Sequence, residues 1–313
     1  MTADNSDSQI SKLIRLVAGI AVIVLLIQFA MDGGPTDLLR QLREISWQGW
    51  AALCTIAIAT MATLSRAFQV SIQVIGVRLP FLAAFEYSAM NTFFNTVLPM
   101  KGGVLVRGLY LKKRYGVTWG SYLFVMATGQ TIQLALLAFI AVGFYFAGEL
   151  PLHLPKLPIS AILVTFLGIL AVCAVAIYLR MEMILKFAGK VVRGLRLWVE
   201  NMPRLLWYVV ATLAFQGLGA LRLWLAFSLV GYTPTLTEIC VLYAALAAGL
   251  SWAITPGNLG VKEAAIVLLA AIVGINTETA LAASIVDRIA SLSMVFLIGG
   301  LSAYRVSSAT PSK

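Results

Sequence analysis

The sequence predicts an all-α, polytopic integral membrane protein with about six full spans and two opposed re-entrant helical hairpins in an inverted repeat. Three observations carry this. First, 60% of the 313 residues are hydrophobic and only 12% are charged, about half the charge a soluble domain carries, too little to clothe a water-facing surface. Second, the chain breaks into apolar runs long enough to cross about 30 Å of hydrocarbon, for which roughly 20 helical residues suffice. Third, one unusual segment occurs twice. Arg66, Gly76, Pro80, Pro99, Gly103 and Gly116 are matched by Arg222, Gly231, Pro234, Pro256, Gly260 and Gly274, and both Pro99 to Pro256 and Gly103 to Gly260 span 157 positions.

The elements follow in order. Ile14–Ala30, behind Lys12 and Arg15, lacks a small-residue cleavage site and reads as a retained span rather than a leader. Trp47–Ile75, interrupted by Arg66, is the second span, Trp119–Ala147 the third, Leu157–Leu179 the fourth, Leu205–Val230 with Arg222 the fifth and Thr279–Tyr304 the last. Residues 81–98 with 104–115, and 236–254 with 261–273, are shorter runs joined by Pro/Gly turns, as in re-entrant hairpins. A single transmembrane domain over residues 1–306 results, with one repeat at about 47–147, the other at about 205–305, and a disordered polar tail at 307–313.

Charge placement predicts the orientation. With the N-terminus inside, seventeen of the 23 Lys and Arg residues lie in inner segments and three, Arg40, Arg43 and Lys156, in outer loops. Such a bias places both termini in the cytoplasm. The first hairpin then enters from the cytoplasm and the second from outside, as a two-fold axis in the membrane plane requires. The net charge of +10 is explained by this asymmetry, so nucleic acid is not an expected partner. Residues 180–204 place Lys186, Lys190, Arg193 and Arg196 beside Ile184, Leu185, Leu195 and Trp198, which reads either as an amphipathic helix on the inner leaflet or as an ordinary basic loop.

Chemistry is expected where charge meets the bilayer interior. Arg66, Arg222, Asp287 and Arg288 lie within apolar runs, and Lys262 and Glu263 follow the second turn. A charge at bilayer depth costs about 2.5–3.5 kcal/mol on insertion scales and must face protein or water, usually with a partner. Either these residues line a polar cavity between the repeats, or they form structural pairs such as Asp287 with Arg222 and Glu263 with Arg288. Each turn ends one helix and starts another, so backbone N–H groups and a positive dipole end point toward the bilayer centre. Lys101 and Arg107 add charge at the first turn and Lys262 at the second, a setting for a phosphate or carboxylate. Plain hairpin packing through Pro99, Gly103, Pro256, Gly257, Asn258 and Gly260 is the alternative. Cys54, Cys173 and Cys240 sit singly in apolar runs and His153 alone in a loop, so neither disulfides, metal nor another cofactor is expected.

At these residues the chain resembles a known family. Pro99-x-x-x-Gly103-x-x-x-Arg107, and Ile254-Thr255-Pro256-Gly257-Asn258-Leu259-Gly260-Val261-Lys262-Glu263, look like motifs of the lysylphosphatidylglycerol synthase transmembrane region. That is the flippase part of the bacterial multiple peptide resistance factor, with stand-alone relatives that include UPF0104-type membrane proteins. The likeness runs from about residue 10 to 305. It implies a bacterial inner-membrane protein that moves lipids or lipid-linked groups between leaflets; with the cationic turns, the expected partners are anionic phospholipids or polyprenyl-phosphate-linked groups, and a homo-oligomer is open. It implies no enzymatic activity, since the soluble aminoacyl-transferring domain is not part of the resemblance. Val104 stands where the family usually has an acid and Gln130 where it often has Arg, while Arg288 keeps that Arg in the second half. The other classes weighed are a membrane transferase using Asp287 and Glu263, and a non-transporting partner of a cell-envelope glycosyltransferase or lipid-modifying enzyme.

Overall fold

The computed structural model describes residues 42–98, 101–146, 196–249 and 255–308. Every regular element among them is helical: α1 (Trp47–Val74), α2 (Phe81–Val97), α3 (Gly102–Tyr115), α4 (Trp119–Phe146), α5 (Met202–Leu229), α6 (Leu236–Gly249), α7 (Val261–Ile272), α8 (Thr277–Met294) and α9 (Gly300–Ser308). The expected spans Ile14–Ala30 and Leu157–Leu179, Cys173, His153 and Pro99 lie outside the described residues. Among the described residues four helical stretches are long and apolar enough to cross a membrane: Trp47–Val74, Trp119–Ile140, Met202–Leu229 and Thr277–Ser308.

Hydroxyl residues are tolerated in these apolar helices because they bond to their own backbone. In α1, Thr60 donates to the Ile56 carbonyl, Ser65 to Met61 and Ser71 to Ala67, each four residues back. Ser46 caps the start of α1 by accepting from the Gly49 N–H at 3.2 Å. The last span departs from its expected Thr279–Tyr304. It begins at Thr277, passes through a π-helical turn at Val295–Gly299 and runs on as α9 to Ser308, two residues into the expected tail. The turn brings Gly299 so close to α2 that a Cβ there would lie 2.8 Å from the Ala89 carbonyl oxygen, which accounts for a bulge at this point.

Helices α1 and α5 are antiparallel neighbours. At one end a Cβ on Gly49 would lie 2.8 Å from Leu229; at the other, Arg66 lies 5.6 Å from the centre of the Trp207 ring. Two cores sit at opposite ends of this pair. Leu53, Phe227, Leu242, Ile266 and Leu281 form one, from α1, α5, α6, α7 and α8. Phe68, Ile72, Tyr87, Met90, Leu111, Tyr122 and Val306 form the other, from α1, α2, α3, α4 and α9. Partners are exchanged between the halves: α6 packs on α4, and α2 packs on the π turn and α9.

Each short pair therefore has both outer ends at one end of the bundle and its turn in the middle. The turns meet: a Cβ on Gly257 would lie 3.2 Å from the Thr96 methyl group. At the first turn Lys101 takes a left-handed conformation, φ 55°. Gly103 is not itself a turn residue; it sits inside α3 against the Asn91 carbonyl, where any side chain would overlap the backbone. At the second turn Pro256–Asn258 make a 3₁₀ turn with Gly257 and Asn258 left-handed, and Gly260, φ 77°, caps α7.

Trp198 differs from either reading of residues 180–204. Residues 196–200 are helical, and the Trp198 ring is buried, donating from Nε1 to Thr128 Oγ1 at 3.1 Å and packing 4.8 Å from the Tyr208 ring. A partner for the indole N–H inside the protein draws it away from a leaflet surface. Cys54 and Cys240 are free thiols packed against the first core.

Candidate functional site

The site begins with two consecutive residues of α8. Neighbouring residues on a helix point about 100° apart, so Asp287 and Arg288 face different partners. Asp287 Oδ1 accepts from Arg222 Nε of α5 at 2.6 Å, and Oδ2 accepts from Lys262 Nζ of α7 at 2.5 Å. Arg288 Nη1 pairs with Glu263 Oε1 of α7 at 3.0 Å, and Nη2 donates to the Gly257 carbonyl at 2.9 Å. The second hairpin is thus stapled to α8 by Lys262–Asp287 and Glu263–Arg288 in register. All five side chains are largely buried, where losing one partner of a pair costs far more than at the surface. Both pairings that the sequence offers as a structural alternative are present, and Lys262 joins as a third cation.

These contacts divide the arginines by role. Both terminal nitrogens of Arg288 serve the hairpin turn. Arg222 meets Asp287 through Nε, and among the described residues its two terminal nitrogens make no bond. Counting Arg222 and Lys262 against Asp287, this cluster keeps one positive charge.

The first half-site is built differently. Arg107 of α3 is buried without a carboxylate within 4 Å among the described residues. It donates from Nε to the Tyr122 hydroxyl at 3.0 Å and from Nη2 to Met126 Sδ at 3.1 Å, and its guanidinium lies 4.0 Å from the centre of the Phe68 ring, a desolvated cation–π contact. Tyr122 passes the network on to the Val104 carbonyl at 3.0 Å.

Three adjoining cavities of about 410, 290 and 250 Å³ surround the meeting hairpin turns, and Thr92 borders all of them. The largest brings together Lys101 and Asn258 from the two turns with Arg222, Lys262, Asp287, Gln216 and Tyr243. The 250 Å³ cavity adds Gly257 and Arg288, and the 290 Å³ cavity adds Arg107, Asn91 and Asn95 and shares Gln130 and Gln133 with the largest. Of the residues singled out in the sequence, Arg66 does not border these cavities. It bonds Gln69 Oε1 at 2.5 Å and faces Trp207, so the two members of the Arg66/Arg222 match occupy unlike surroundings. Gly103 acts as a helix–helix spacer, Gly260 caps α7, and Pro256 opens the second turn.

Several wall residues escaped the sequence reading: Asn91, Thr92, Asn95, Gln133, Gln216 and Tyr243. A signal was present. Asn91/Asn95 and Gln130/Gln133 are polar pairs three or four apart inside apolar helices, which puts each pair on one face. Tyr243 is admitted because it packs against Gly219 of α5, where no side chain could fit.

Comparison with known proteins agrees with this architecture. A curated relative, a "UPF0104 membrane protein" of Methanothermobacter thermautotrophicus (strain Delta H), is 36% identical over 92 residues, which is 29% of this chain and 26% of that protein. The matched part spans about a quarter of that relative. No solved structure matches the chain. The family model described as the lysylphosphatidylglycerol synthase TM region matches residues 16–299. With nearly the whole chain matched and several membrane-length apolar helices, the protein is a multi-pass membrane protein that belongs to the lysylphosphatidylglycerol synthase transmembrane-region family.

Proposed function

We propose that the protein carries an anionic or lipid-linked headgroup between membrane leaflets, through the cavities where the two hairpin turns meet. One observation carries the reading: among the described residues five cations, Lys101, Arg107, Arg222, Lys262 and Arg288, border those cavities against one carboxylate, Asp287. Even with Glu263 counted, three positive charges remain inside an apolar bundle. Such a site attracts an anion and repels a cation, and a bilayer supplies anionic headgroups at its surface.

The antiparallel α1/α5 pair, the exchanged packing and the opposed hairpins support two repeats of inverted topology, rocking about a central site. One end of the bundle gathers Arg78, Lys112, Lys113, Arg114, Arg204 and Arg305, and we assign it to the cytoplasm. In this arrangement both hairpins are re-entrant and six helices span the bilayer, counting Ile14–Ala30 and Leu157–Leu179. Single cysteines at Lys101 and Asn258, in a chain freed of its own cysteines, are expected to label slowly, the first from the cytoplasmic side and the second from outside. Labelling of both from one side would overturn the opposed hairpins.

Transport itself is tested in proteoliposomes by the exchange of headgroup-labelled phosphatidylglycerol between leaflets. Arg222→Gln is expected to slow exchange about tenfold or more, the factor that one lost charge-assisted hydrogen bond represents. Folded protein should remain, because Lys262 still neutralises Asp287. A second reading, a non-transporting membrane partner of a glycosyltransferase or lipid-modifying enzyme, is favoured by the pairing of Asp287 and Glu263 with three of the five cations. Exchange no faster than in protein-free vesicles would favour it.

A further inference from the structure

We infer that the headgroup this site accepts is a phosphate ester of an uncharged, hydroxyl-bearing group, a sugar or a polyol. This rests on the anion-carrying reading of the same cavities and adds what lies beside the phosphate.

The cations give only half of the wall. The rest is carboxamide and hydroxyl: Gln216, Gln130 and Gln133 border the largest cavity, and Asn91 and Asn95 the adjoining one. Gln216 is 7% exposed, and neither its Oε1 nor its Nε2 has a partner among the described residues. Asn91 is 8% exposed, and its Oδ1 and that of Asn95 are also unpartnered. Buried amide atoms almost always find a hydrogen bond, and each that does not requires an explanation such as an absent ligand or water. An amide both donates and accepts. A hydroxyl does the same, so a set of amides beside a cationic centre matches a phosphate with hydroxyls a few ångströms away.

The same wall disfavours a headgroup that carries an amine. An ammonium only donates, which amide oxygens can accept, but its charge meets the net positive charge that borders these cavities. Among the described residues Asp287 is the one carboxylate bordering the cavities, and its oxygens already accept from Arg222 and Lys262. The terminal nitrogens of Arg222, by contrast, are unbonded among the described residues, and Arg222 borders the same cavity as Gln216. They can fork onto two phosphate oxygens, which leaves the ester substituent to the amides.

The test measures binding to the purified full-length chain in detergent, separately from transport. Dioctanoyl phosphatidylinositol is compared with dioctanoyl phosphatidylmethanol, which has the same single negative charge and no hydroxyls, and with dioctanoyl lysylphosphatidylglycerol. Phosphatidylinositol is expected to bind about tenfold tighter than phosphatidylmethanol, the factor expected of hydroxyl bonds in a desolvated site. Gln216→Leu should erase that preference and leave phosphatidylmethanol binding unchanged. It should also leave the folded protein no less stable, because it removes an unpaired buried amide; Gln216→Met serves if the Leu variant does not fold. Equal binding of phosphatidylinositol and phosphatidylmethanol would overturn the inference, as would tighter binding of lysylphosphatidylglycerol or a preference intact in both variants. A tenfold preference for myo-inositol 1-phosphate over methyl phosphate would support the ligand class and assign it to soluble esters as well. A hydroxyl preference in binding without leaflet exchange would keep this inference and remove transport alone.

Discussion

Replacing Asp287 with Ala is expected to destabilise the protein by about 3–5 kcal/mol, the cost of leaving a buried charge without its partner, and to leave little monodisperse protein after extraction into detergent. One carboxylate here answers two cations from two other helices, Arg222 Nε at 2.6 Å and Lys262 Nζ at 2.5 Å. Without it, two like charges face each other at the junction of α5, α7 and α8. The side chains are largely buried and held by packing, so the unpaired cations have no new partner within reach. Thermal unfolding followed by size-exclusion chromatography checks the outcome. The triple change Asp287→Leu, Arg222→Met and Lys262→Met should recover most of the stability, because neutral side chains of similar volume often replace a buried ion cluster without loss. It should not recover leaflet exchange. A stable Asp287→Ala variant would mean that the cluster is solvated and contributes little to the fold. A triple variant that exchanges lipid normally would place the anion site elsewhere.

Gly103→Val is expected to have a comparable effect by another route. A Cβ at Gly103 would fall on the backbone carbonyl of Asn91 and lie 2.8 Å from Asn95 Oδ1. The carbonyl belongs to the hydrogen-bonded ladder of α2 and cannot rotate aside, so α2 and α3 must separate. The cost lies in the range for overpacking, about 1–3 kcal/mol or more where backbone rather than side chain must shift. It falls on the first hairpin alone. The second hairpin, stapled by Lys262–Asp287 and Glu263–Arg288, should keep its place. The expected result is protein that inserts but unfolds at a lower temperature, with a cysteine at Lys101 labelled much faster than in the parent and a cysteine at Asn258 unchanged. Gly103→Ala, with the same overlap and no branching, should behave likewise but less severely. Unaltered labelling at Lys101 would show that the hairpin tolerates the wider separation.

Some of the site is legible in the residues. Asp287 and Arg288 stand out as charges in an apolar run, and Arg222 and Glu263 as their complements, because burying an isolated charge is too costly to occur without a partner. Other residues mislead. Arg66 matches Arg222 in position, yet it turns to Gln69 and Trp207, since the α1 face that carries it packs toward the start of α5 and not toward the hairpin turns. Gly103 matches Gly260 at the same offset, yet one is a helix–helix spacer and the other a cap with φ 77°. Gln216 attracts no notice in the sequence, because a single amide in an amphipathic-looking run carries no periodic signal.

The all-helical membrane class, the broken segments at Pro99–Gly103 and Pro256–Gly260, and their recurrence at one offset are all legible in the order of residues. The bilayer makes these one-dimensional properties: it sets a span length and requires every backbone group to be bonded within its own helix, so runs of apolar residues and their interruptions can be counted directly. The head-to-tail pairing of α1 and α5, the exchange of packing partners between the halves, the contact of the hairpin turns at Thr96 and Gly257, and the joining of Lys262 and Arg222 on a single carboxylate emerge from the packed helices. Those are matters of which helix face meets which, and they depend on contacts among side chains far apart in the chain, such as Arg222 and Asp287 or Trp198 and Thr128. In an environment as apolar as the helices themselves, hydrophobicity does not choose between faces; small residues and buried polar bonds do.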